Sequence, residues 1–386
     1  MITGLRVGIA GGGIGGLALA ISLLGAGIEP VVLERAEDLR RVQLGGSIHL
    51  WPNGNRALQA AGVYDAVRAS VDDDAVVLEQ TWDTWKGRRL SVWDLREEVH
   101  GLPTLSVIRG VFHGVLADAA AELIRLDSPV EGFEQDGDGV RVQIAGGKEE
   151  RFDLLVGADG LYSKIREELV GDSPYYAGYT TWNSIIPHVD PFILNGIRAY
   201  FGSGQRFVTW SVSDKQTYWE AIAAMPAGGK DPEGGRRDAV LERFGDWVDP
   251  IASLIGITPE EKINRADSYA RRAAPRWGEG RVTMVGDAAH AMTNAAGQGG
   301  NQAVEDAVVL ARCLQRNDDP VAALREYESL RRKRAETMVT RSRVLAKMAL
   351  MHGPVKTRSR DVFMRAVGGF AYRAHSKDMA YDAASS

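Results

Sequence analysis

The segment from Leu5 to Arg35, LRVGIAGGGIGGLALAISLLGAGIEPVVLER, constrains the fold more than any other part of the chain. It predicts a strand, a glycine turn, a buried helix and a second strand, which together make a βαβ unit. Gly11, Gly13 and Gly16 have the spacing G-x-G-x-x-G between the strand and the helix. In this context the motif predicts a site for an ADP-containing dinucleotide, without indicating which one.

Each glycine of this unit has a separate physical task. Gly11 allows the tight turn, Gly13 lets a pyrophosphate approach the backbone, and Gly16 lets the helix pack closely on the strand. The N-terminus of the helix attracts the phosphates. Glu34, at the end of the second strand, can accept a hydrogen bond from a ribose hydroxyl. The same site takes in the first helical residues, Ile14 and Gly15.

Composition narrows the class of protein. The chain has 386 residues, enough for about two domains. Lys and Arg number 46 against 51 Asp and Glu, a net charge of −5, which gives no general attraction to nucleic acid or to an anionic membrane. The uncharged run from Val7 to Ile28 is too rich in glycine for a membrane span. The single cysteine, Cys313, excludes an internal disulfide, fits a reducing cytoplasm and is predicted to be a small buried hydrophobic side chain.

Two further glycine turns follow apolar, strand-like runs, at Gly157–Gly160 and Gly286–Gly300. Ligands of doubly wound sheets bind outside the carboxyl ends of parallel strands, so all three turns can face one long ligand. FAD is long enough to need several of them, whereas NAD would not need the third. Between about 174 and 270 the sequence instead alternates and is rich in aromatic residues, which predicts an antiparallel sheet with one polar face.

The predicted fold class is α/β, with a Rossmann-like FAD-binding domain, an inserted antiparallel β-sheet substrate domain and a C-terminal helix. We expect the basic run LRRKRAETMVTRSR, from Leu330, to be a solvated helix face. The predicted boundaries are 1–72, 101–173 and 271–345 for the discontinuous FAD-binding domain, 73–100 and 174–270 for the substrate domain, and 346–386 for a helical or poorly ordered tail.

Several motifs together resemble one family, the single-component FAD-dependent aromatic hydroxylases of the p-hydroxybenzoate hydroxylase type. They are the glycine fingerprint, GADGLYSKIR, and GDAAH followed by GQGGNQAVEDA and YESLRRKR. The resemblance implies that Asp287 holds the ribityl chain of FAD and that Gly297 to Asn301 line its isoalloxazine ring. It implies an FAD site made of Gly11, Gly13, Ile14, Gly15, Gly16, Glu34, Arg35, Gly45, Gly46, Arg109, Asp159, Asp287, Gly297, Gly299, Gly300 and Asn301.

Three members of this set have an alternative explanation. Asp287 could simply cap a helix, Asp159 could serve only its turn, and Arg109 could be a surface charge at a helix start. His290 is expected to be structural rather than catalytic.

A closer resemblance links YYAGYTTWNSI and the later GSGQRF and TYWEA to FAD-dependent urate hydroxylases, and more loosely to 6-hydroxynicotinate monooxygenases. It implies that Arg206, Tyr218 and His49 address the substrate, with Arg206 favouring a substrate anion. The alternatives are an exposed strand charge for Arg206 and simple aromatic packing for Tyr218. Asn294 stands where many relatives have a proline, beside the reactive edge of the flavin.

The resemblance also implies the reaction. NADPH or NADH would reduce bound FAD, and O₂ would then form a flavin C4a-hydroperoxide that hydroxylates a small planar aromatic or heteroaromatic ring. The alternatives are epoxidation or dehydrogenation by a flavin enzyme of the same fold, and a non-catalytic FAD-binding protein. No metal site is expected, nor a nucleic-acid or membrane partner, and the protein is expected to be a monomer or homodimer.

Overall fold

The computed structural model describes residues 4–39 and 46–385, so Gly45 of the predicted FAD site lies outside the described residues. The strands are β1 (Arg6–Ala10), β2 (Glu29–Leu33), β3 (Ser47–Leu50), β4 (Val76–Val77), β5 (Glu79–Thr84), β6 (Arg89–Asp94), β7 (Thr104–Ile108), β8 (Ile124–Arg125), β9 (Val130–Gln135), β10 (Val140–Ile144), β11 (Lys148–Phe152), β12 (Leu154–Gly157), β13 (Tyr175–Ile186), β14 (Gly196–Phe201), β15 (Gln205–Ser211), β16 (Thr217–Ala224), β17 (Asn264–Ala270) and β18 (Val282–Met284). The helices are α1 (Ile14–Gly25), α2 (Pro52–Ala60), α3 (Tyr64–Ala69), α4 (Glu97–His100), α5 (Arg109–Ala119), α6 (Lys164–Val170), α7 (Gly235–Phe244), α8 (Ile251–Gly256), α9 (Asp287–His290), α10 (Gly299–Arg316), α11 (Pro320–Ala349) and α12 (Pro354–Met379).

A parallel sheet in the order β18-β12-β1-β2-β8 carries the first glycine turn and the two later ones. Its central strands are buried on both faces, because helices such as α1 and α10 pack against the sheet. Ala10 pairs with Gly157, and Gly157 pairs with Met284. This register aligns the carboxyl ends of β1, β12 and β18, and the predicted α/β class with a Rossmann-like domain is confirmed.

A second sheet has the order β17-β13-β16-β15-β14-β5-β6 and is antiparallel apart from the β14–β5 pair. The expectation of one polar face is wrong, because both faces are covered. On one face Phe207 and Trp219 pack with Phe244 of α7 and Leu254 of α8. On the other face lies a second cluster that includes residues of α11 and α12.

The remaining strands form two small antiparallel sheets, β11-β10-β9 and β3-β7-β4. The second of these matters for the site, because the β3–β7 pair places His49 opposite Ser106 beside the carboxyl edge of the parallel sheet.

The tail after Gly353 forms the helix α12, which is the helical one of the two predicted alternatives. It packs so closely on β6 that a Cβ atom at Gly368 would lie 2.6 Å from Ser91 Oγ. The Tyr372 hydroxyl adds a hydrogen bond of 2.8 Å to the Asp94 carbonyl oxygen. Within the described ranges, none of the helices has the length and apolar character that crossing a membrane requires.

The basic run of α11 is not wholly a solvated face, which corrects the prediction. Arg331 is fully buried, and its Nε donates to Asp306 at 2.7 Å while its Nη1 donates to Glu305. Arg334 also pairs with Glu305. The reason is that α11 packs against α10, which presents these two carboxylates inward. Cys313, on the same α10, is buried as predicted, and burial raises its thiol pKa to about 12.

Candidate active site

One cavity of about 930 Å³ lies between the carboxyl edge of the parallel sheet and the seven-stranded sheet. Residues of all three glycine turns line it, including Gly13, Gly160 and Gly299. The expectation that these turns face a common space is therefore confirmed by the geometry of the sheet. The same cavity is also lined by Arg206, Tyr218 and His49, for which the family resemblance implied contact with the substrate.

The first turn has the shape that a phosphate cradle requires. Gly11 has a positive φ of +109°, and a Cβ at Gly16 would lie 2.0 Å from the Gly11 carbonyl oxygen. A Cβ at Gly13, in contrast, would meet no atom within 4 Å, so the space beside Gly13 is open toward the cavity. Because α1 begins at Ile14, the unpaired amide groups of its first turn stand at this space. These residues fit the pyrophosphate of a dinucleotide.

Glu34 is buried and braces the glycine turn. Its Oε2 accepts a hydrogen bond of 2.6 Å from the Gly12 amide, and its Oε1 accepts one of 2.8 Å from the Ala36 amide. Arg35 follows it and is exposed at the same end of β2.

In the second glycine turn, Asp159 has a structural role, which was one of its two predicted alternatives. Asp159 Oδ2 accepts hydrogen bonds from the amides of Lys164 at 2.7 Å and Ile165 at 3.3 Å, and so caps the start of α6. Its Oδ1 has no partner, and burial raises the pKa of the carboxyl above its usual value. The neighbouring Ala158 and Gly160 line the cavity.

Asp287 begins the short helix α9, and its side chain is open to the cavity. Desolvation by the surrounding protein raises the pKa of its carboxyl, although His290 and Arg109 act in the opposite direction. Arg109 begins α5 and lines the same cavity, while its amide donates to the Gly46 carbonyl oxygen at 3.0 Å. A carboxylate that faces the cavity fits the polar ribityl chain of FAD.

The third turn ends in the N-terminus of α10. Gly297 has a positive φ of +61°, and α10 begins at Gly299 with its first amide groups toward the cavity. Asn301 fixes this turn against β3, since its Oδ1 accepts from the Trp51 amide at 2.9 Å and its Nδ2 donates to the His49 carbonyl oxygen at 2.9 Å. A flat ring system can lie against the backbone of Gly299 and Gly300.

The substrate side of the cavity is built on β15 and β16 around a residue that the sequence analysis missed, Glu220. Arg206 Nη2 donates to Glu220 Oε1 at 2.9 Å, and the Tyr218 hydroxyl lies 3.4 Å from Glu220 Oε2. Arg206 is only 9% exposed, so the alternative of an exposed strand charge is excluded. Arg206 Nε is buried and has no hydrogen-bond partner.

Asn294 connects Arg206 and Glu220 to the third glycine turn, against which the flavin ring is expected to lie. Its Nδ2 donates to Glu220 Oε2 at 2.6 Å, and its Oδ1 accepts from the Tyr179 hydroxyl at 2.8 Å. Burial raises the pKa of Tyr179 to about 12, so this hydroxyl stays a donor. A proline at this position could make neither bond, and the asparagine therefore has its own role in this chain.

His49 lies between two tryptophans, with ring centroids 5.5 Å from Trp51 and 4.3 Å from Trp210. Burial lowers the pKa of His49 to about 3, so its imidazole is neutral at physiological pH. Its Nε2 is buried without a partner at the cavity wall. This places His49 as a neutral hydrogen-bonding group beside the ring-binding space.

His290 is structural, as predicted from the sequence. Its Nε2 lies 2.6 Å from Asp306 Oδ2, which also accepts from the Gly286 amide at 2.9 Å. Through Arg331 this network ties the third turn to α11. The signal for it was present in the sequence, since the acidic pair of GGNQAVEDA and the basic run of α11 have complementary charges.

The comparisons with known proteins agree with this geometry. Residues 4–342 match the family described as the FAD binding domain. The chain is 40% identical over 352 residues to the aurachin C monooxygenase/isomerase of Stigmatella aurantiaca, with 89% of each chain covered. It is 36% identical to the chloroplastic zeaxanthin epoxidase of Oryza sativa subsp. japonica, with 90% of this chain and 56% of that one covered.

Among solved structures, HpxO of Klebsiella pneumoniae, crystallised with FAD and uric acid, superposes with a TM-score of 0.89 at 27% identity. The match covers 97% of this chain and 96% of that one. The family match and these relatives show that the chain belongs to the FAD binding domain family, among the FAD-dependent monooxygenases of the aromatic hydroxylase type.

Proposed function

We propose that the protein uses NADPH or NADH and O₂ to hydroxylate a planar aromatic or heteroaromatic ring. The observation that carries the proposal is the buried Arg206, which lines the same cavity as the three glycine turns and whose Nε donor has no hydrogen-bond partner. A buried donor of this kind is costly unless a ligand satisfies it. Bound FAD supplies the electron transfer and oxygen activation that the side chains cannot provide.

The charges around Arg206 indicate the chemical character of the ring. Glu220 already balances the guanidinium charge at 2.9 Å, so an anionic substrate would meet a neutral pair rather than a free cation. We therefore propose a neutral ring that carries a hydrogen-bond acceptor such as a carbonyl or ring nitrogen, in place of the anion that Arg206 alone would favour. Arg206 binds and orients this ring, and Glu220 and Asn294 position the arginine.

Tyr218 is the candidate hydrogen-bond donor to the substrate. Burial and the adjacent Glu220 raise the pKa of Tyr218 well above 10, so its hydroxyl stays protonated near neutral pH. It can turn its single proton away from Glu220 Oε2, 3.4 Å distant, and donate it in a hydrogen bond to an oxygen on the substrate ring. His49 lines the same cavity as a neutral imidazole, and Trp51 and Trp210 pack against it and shield that wall from water.

Epoxidation is the second candidate, and the similarity to a zeaxanthin epoxidase favours it. Both reactions need the same FAD and reductant and differ in whether the acceptor is an aromatic ring or an isolated double bond. The two candidates can therefore be separated only by the substrate and its product.

The test is to purify the protein, load it with FAD and measure oxidation of NADPH and NADH with a panel of aromatic, heteroaromatic and alkene ligands. Hydroxylation predicts ligand-stimulated oxidation, O₂ uptake and a product that has gained one oxygen atom on the ring. A product oxygenated only at an alkene would favour epoxidation. Protein that binds FAD but never oxidises either nucleotide would instead support a non-catalytic binding protein.

A further inference from the structure

We propose that the substrate carries a long apolar tail, which occupies the end of the cavity between strands β5, β6 and β14 and helix α12. We call this end the apolar lobe. The inference rests on the proposed function, because it assumes that the ring lies beside Arg206 and the flavin. The lobe is defined by Trp82, Trp93, Ala199, Phe201, Met364 and Ala371.

The sheet side of the lobe is aromatic. The rings of Trp82 and Trp93 lie 4.7 Å apart, and those of Trp82 and Phe201 lie 5.9 Å apart, measured between centroids. All three side chains are nearly buried, and Ala199 lies beside them on β14. Together they make an apolar wall on strands β5, β6 and β14.

The helix side of the lobe is aliphatic and adaptable. Met338 and Met348 of α11 and Met364 of α12 line the cavity with Val367 and Ala371. Unbranched methionine side chains adjust to flexible ligands better than branched ones do. A hydrocarbon chain between this wall and the aromatic wall would contact apolar atoms on both sides.

The charged side chains nearest the apolar lobe are paired with each other. Apart from Arg109 and Asp287, the charged residues that line the described cavity form ion pairs with one another, Arg206 with Glu220 and Arg341 with Asp378. A small polar ring bound at Arg206 would leave the apolar lobe filled with water against Trp and Met surfaces, which is unfavourable. A substrate tail removes that cost.

The lobe has an exit beside α12. Phe363 and Phe370, one helical heptad apart, line the cavity and are 53% and 77% exposed. Large aromatic side chains with this much exposure next to an apolar cavity indicate where a tail can enter or leave. The occupant we infer is therefore an amphiphile with a polar aromatic ring and a flexible hydrocarbon tail.

The test measures binding rather than turnover. FAD-loaded protein is titrated with para-alkylphenols from para-cresol to para-nonylphenol, and the dissociation constant is read from the flavin absorbance change. Each methylene buried in the lobe should tighten binding by about fourfold, until the tail passes the exit and the gain levels off. A dissociation constant that does not depend on tail length would overturn the inference.

Variants distinguish binding in the apolar lobe from nonspecific binding of hydrophobic ligands. Ala371→Trp fills the lobe and should flatten the tail-length series, measured as the ratio of the para-cresol to the para-nonylphenol dissociation constant. Ala199→Leu tests the opposite wall in case the first variant does not fold. Ala366→Trp is the matched control, since Ala366 lies on the same helix, is exposed and does not line the cavity. An equal effect of Ala366→Trp and Ala371→Trp would contradict a specific lobe.

The outcome also distinguishes this inference from the proposed function. Tail-dependent binding without ligand-stimulated nucleotide oxidation would support the lobe and contradict the monooxygenase reaction. Ligand-stimulated oxidation by small rings, with no gain from the tail, would support the reaction and contradict the lobe.

Discussion

Arg206 and Glu220 form a buried ion pair on neighbouring strands, with Arg206 Nη2 2.9 Å from Glu220 Oε1. Arg206→Ala should therefore have two effects. Leaving Glu220 without its partner costs about 3–5 kcal/mol in the free energy of unfolding. Losing the charged hydrogen-bond donor to the substrate costs about 1.5–3 kcal/mol, or roughly tenfold to a hundredfold in substrate affinity. FAD affinity should be unchanged, because the three glycine turns that fit FAD lie on other strands and helices. The measurements are FAD occupancy and substrate-dependent nucleotide oxidation on the same preparation.

The control for this prediction is Arg89→Ala, which removes a 2.6 Å pair with Asp83 in the same sheet, away from the cavity lining. It should alter stability without altering substrate affinity. The double variant Arg206→Met/Glu220→Leu should recover stability but not turnover. Full turnover in Arg206→Ala would show that this arginine does not contact the substrate.

Tyr218→Phe should do less damage, because it deletes one hydroxyl and keeps the ring that packs 4.4 Å from Trp210. We expect a loss of about tenfold in kcat/KM, the size of one hydrogen bond. Since the pKa of Tyr218 is raised well above 10, wild type and variant should have parallel pH profiles between about pH 6 and 9. A wild-type inflection in that range that the variant lacks would mean that Tyr218 ionises.

Gly13→Val should abolish FAD binding while the fold is kept. Gly13 has an ordinary φ of −76°, and a Cβ there would meet no atom within 4 Å, so the added side chain should extend into the phosphate space. Gly16→Ala should instead unfold the unit, because its Cβ would lie 2.0 Å from Gly11 O. Gly25→Ala, at the open end of α1, is the control that should retain both properties. Circular dichroism and flavin absorbance measure them, and normal FAD affinity in Gly13→Val would place the pyrophosphate elsewhere.

Asn294→Ala should leave Glu220 less firmly positioned, and it should not change FAD affinity. It removes the 2.6 Å bond to Glu220 Oε2 and the bond to the Tyr179 hydroxyl. A hydrogen bond to a charged group contributes about 1.5–3 kcal/mol, so the variant should be less stable. KM should rise more than kcat changes, because Glu220 then holds Arg206 less firmly. Asn294→Pro should behave in the same way. If either variant instead loses FAD, the asparagine serves the cofactor and not the substrate side.

Arg331→Met should be strongly destabilising. It leaves the fully buried Glu305 and Asp306 without a main partner, at a cost of about 3–5 kcal/mol in the free energy of unfolding. Arg332→Met is the control on the same helix, where the ion pair with Glu336 is 3.7 Å long and partly exposed. Equal melting temperatures for the two variants would show that the buried network does not contribute to stability.

The same network predicts a pH dependence. Burial alone would raise the carboxyl pKa values of Glu305 and Asp306, but Arg331 and other partners lower both below their usual values. A depressed carboxyl pKa contributes stability that is present above the unfolded-state pKa of about 4 and is lost as the pH falls through the folded-state value. Thermal melts between about pH 7 and 3 should show this loss in the wild type and less of it in Arg331→Met.

The sequence by itself determined the local features of this protein. The glycine turns, the helices that follow them and Asp287 could be predicted because each needs only a few consecutive residues with a particular backbone geometry. Parallel strands then align their carboxyl ends by necessity, so even the convergence of the three turns on one cavity was predictable.

Tertiary structure decided everything that depends on register and burial. Glu220 meets Arg206 only because β15 and β16 pair in one register, and Asn294 reaches it from a turn 74 residues away. The basic run of α11 is divided between solvent and core by its packing on α10, and charge alone could not reveal which arginine is buried. The apolar lobe exists because α12 packs across β6, and long-range contacts of that kind leave no local pattern in the sequence.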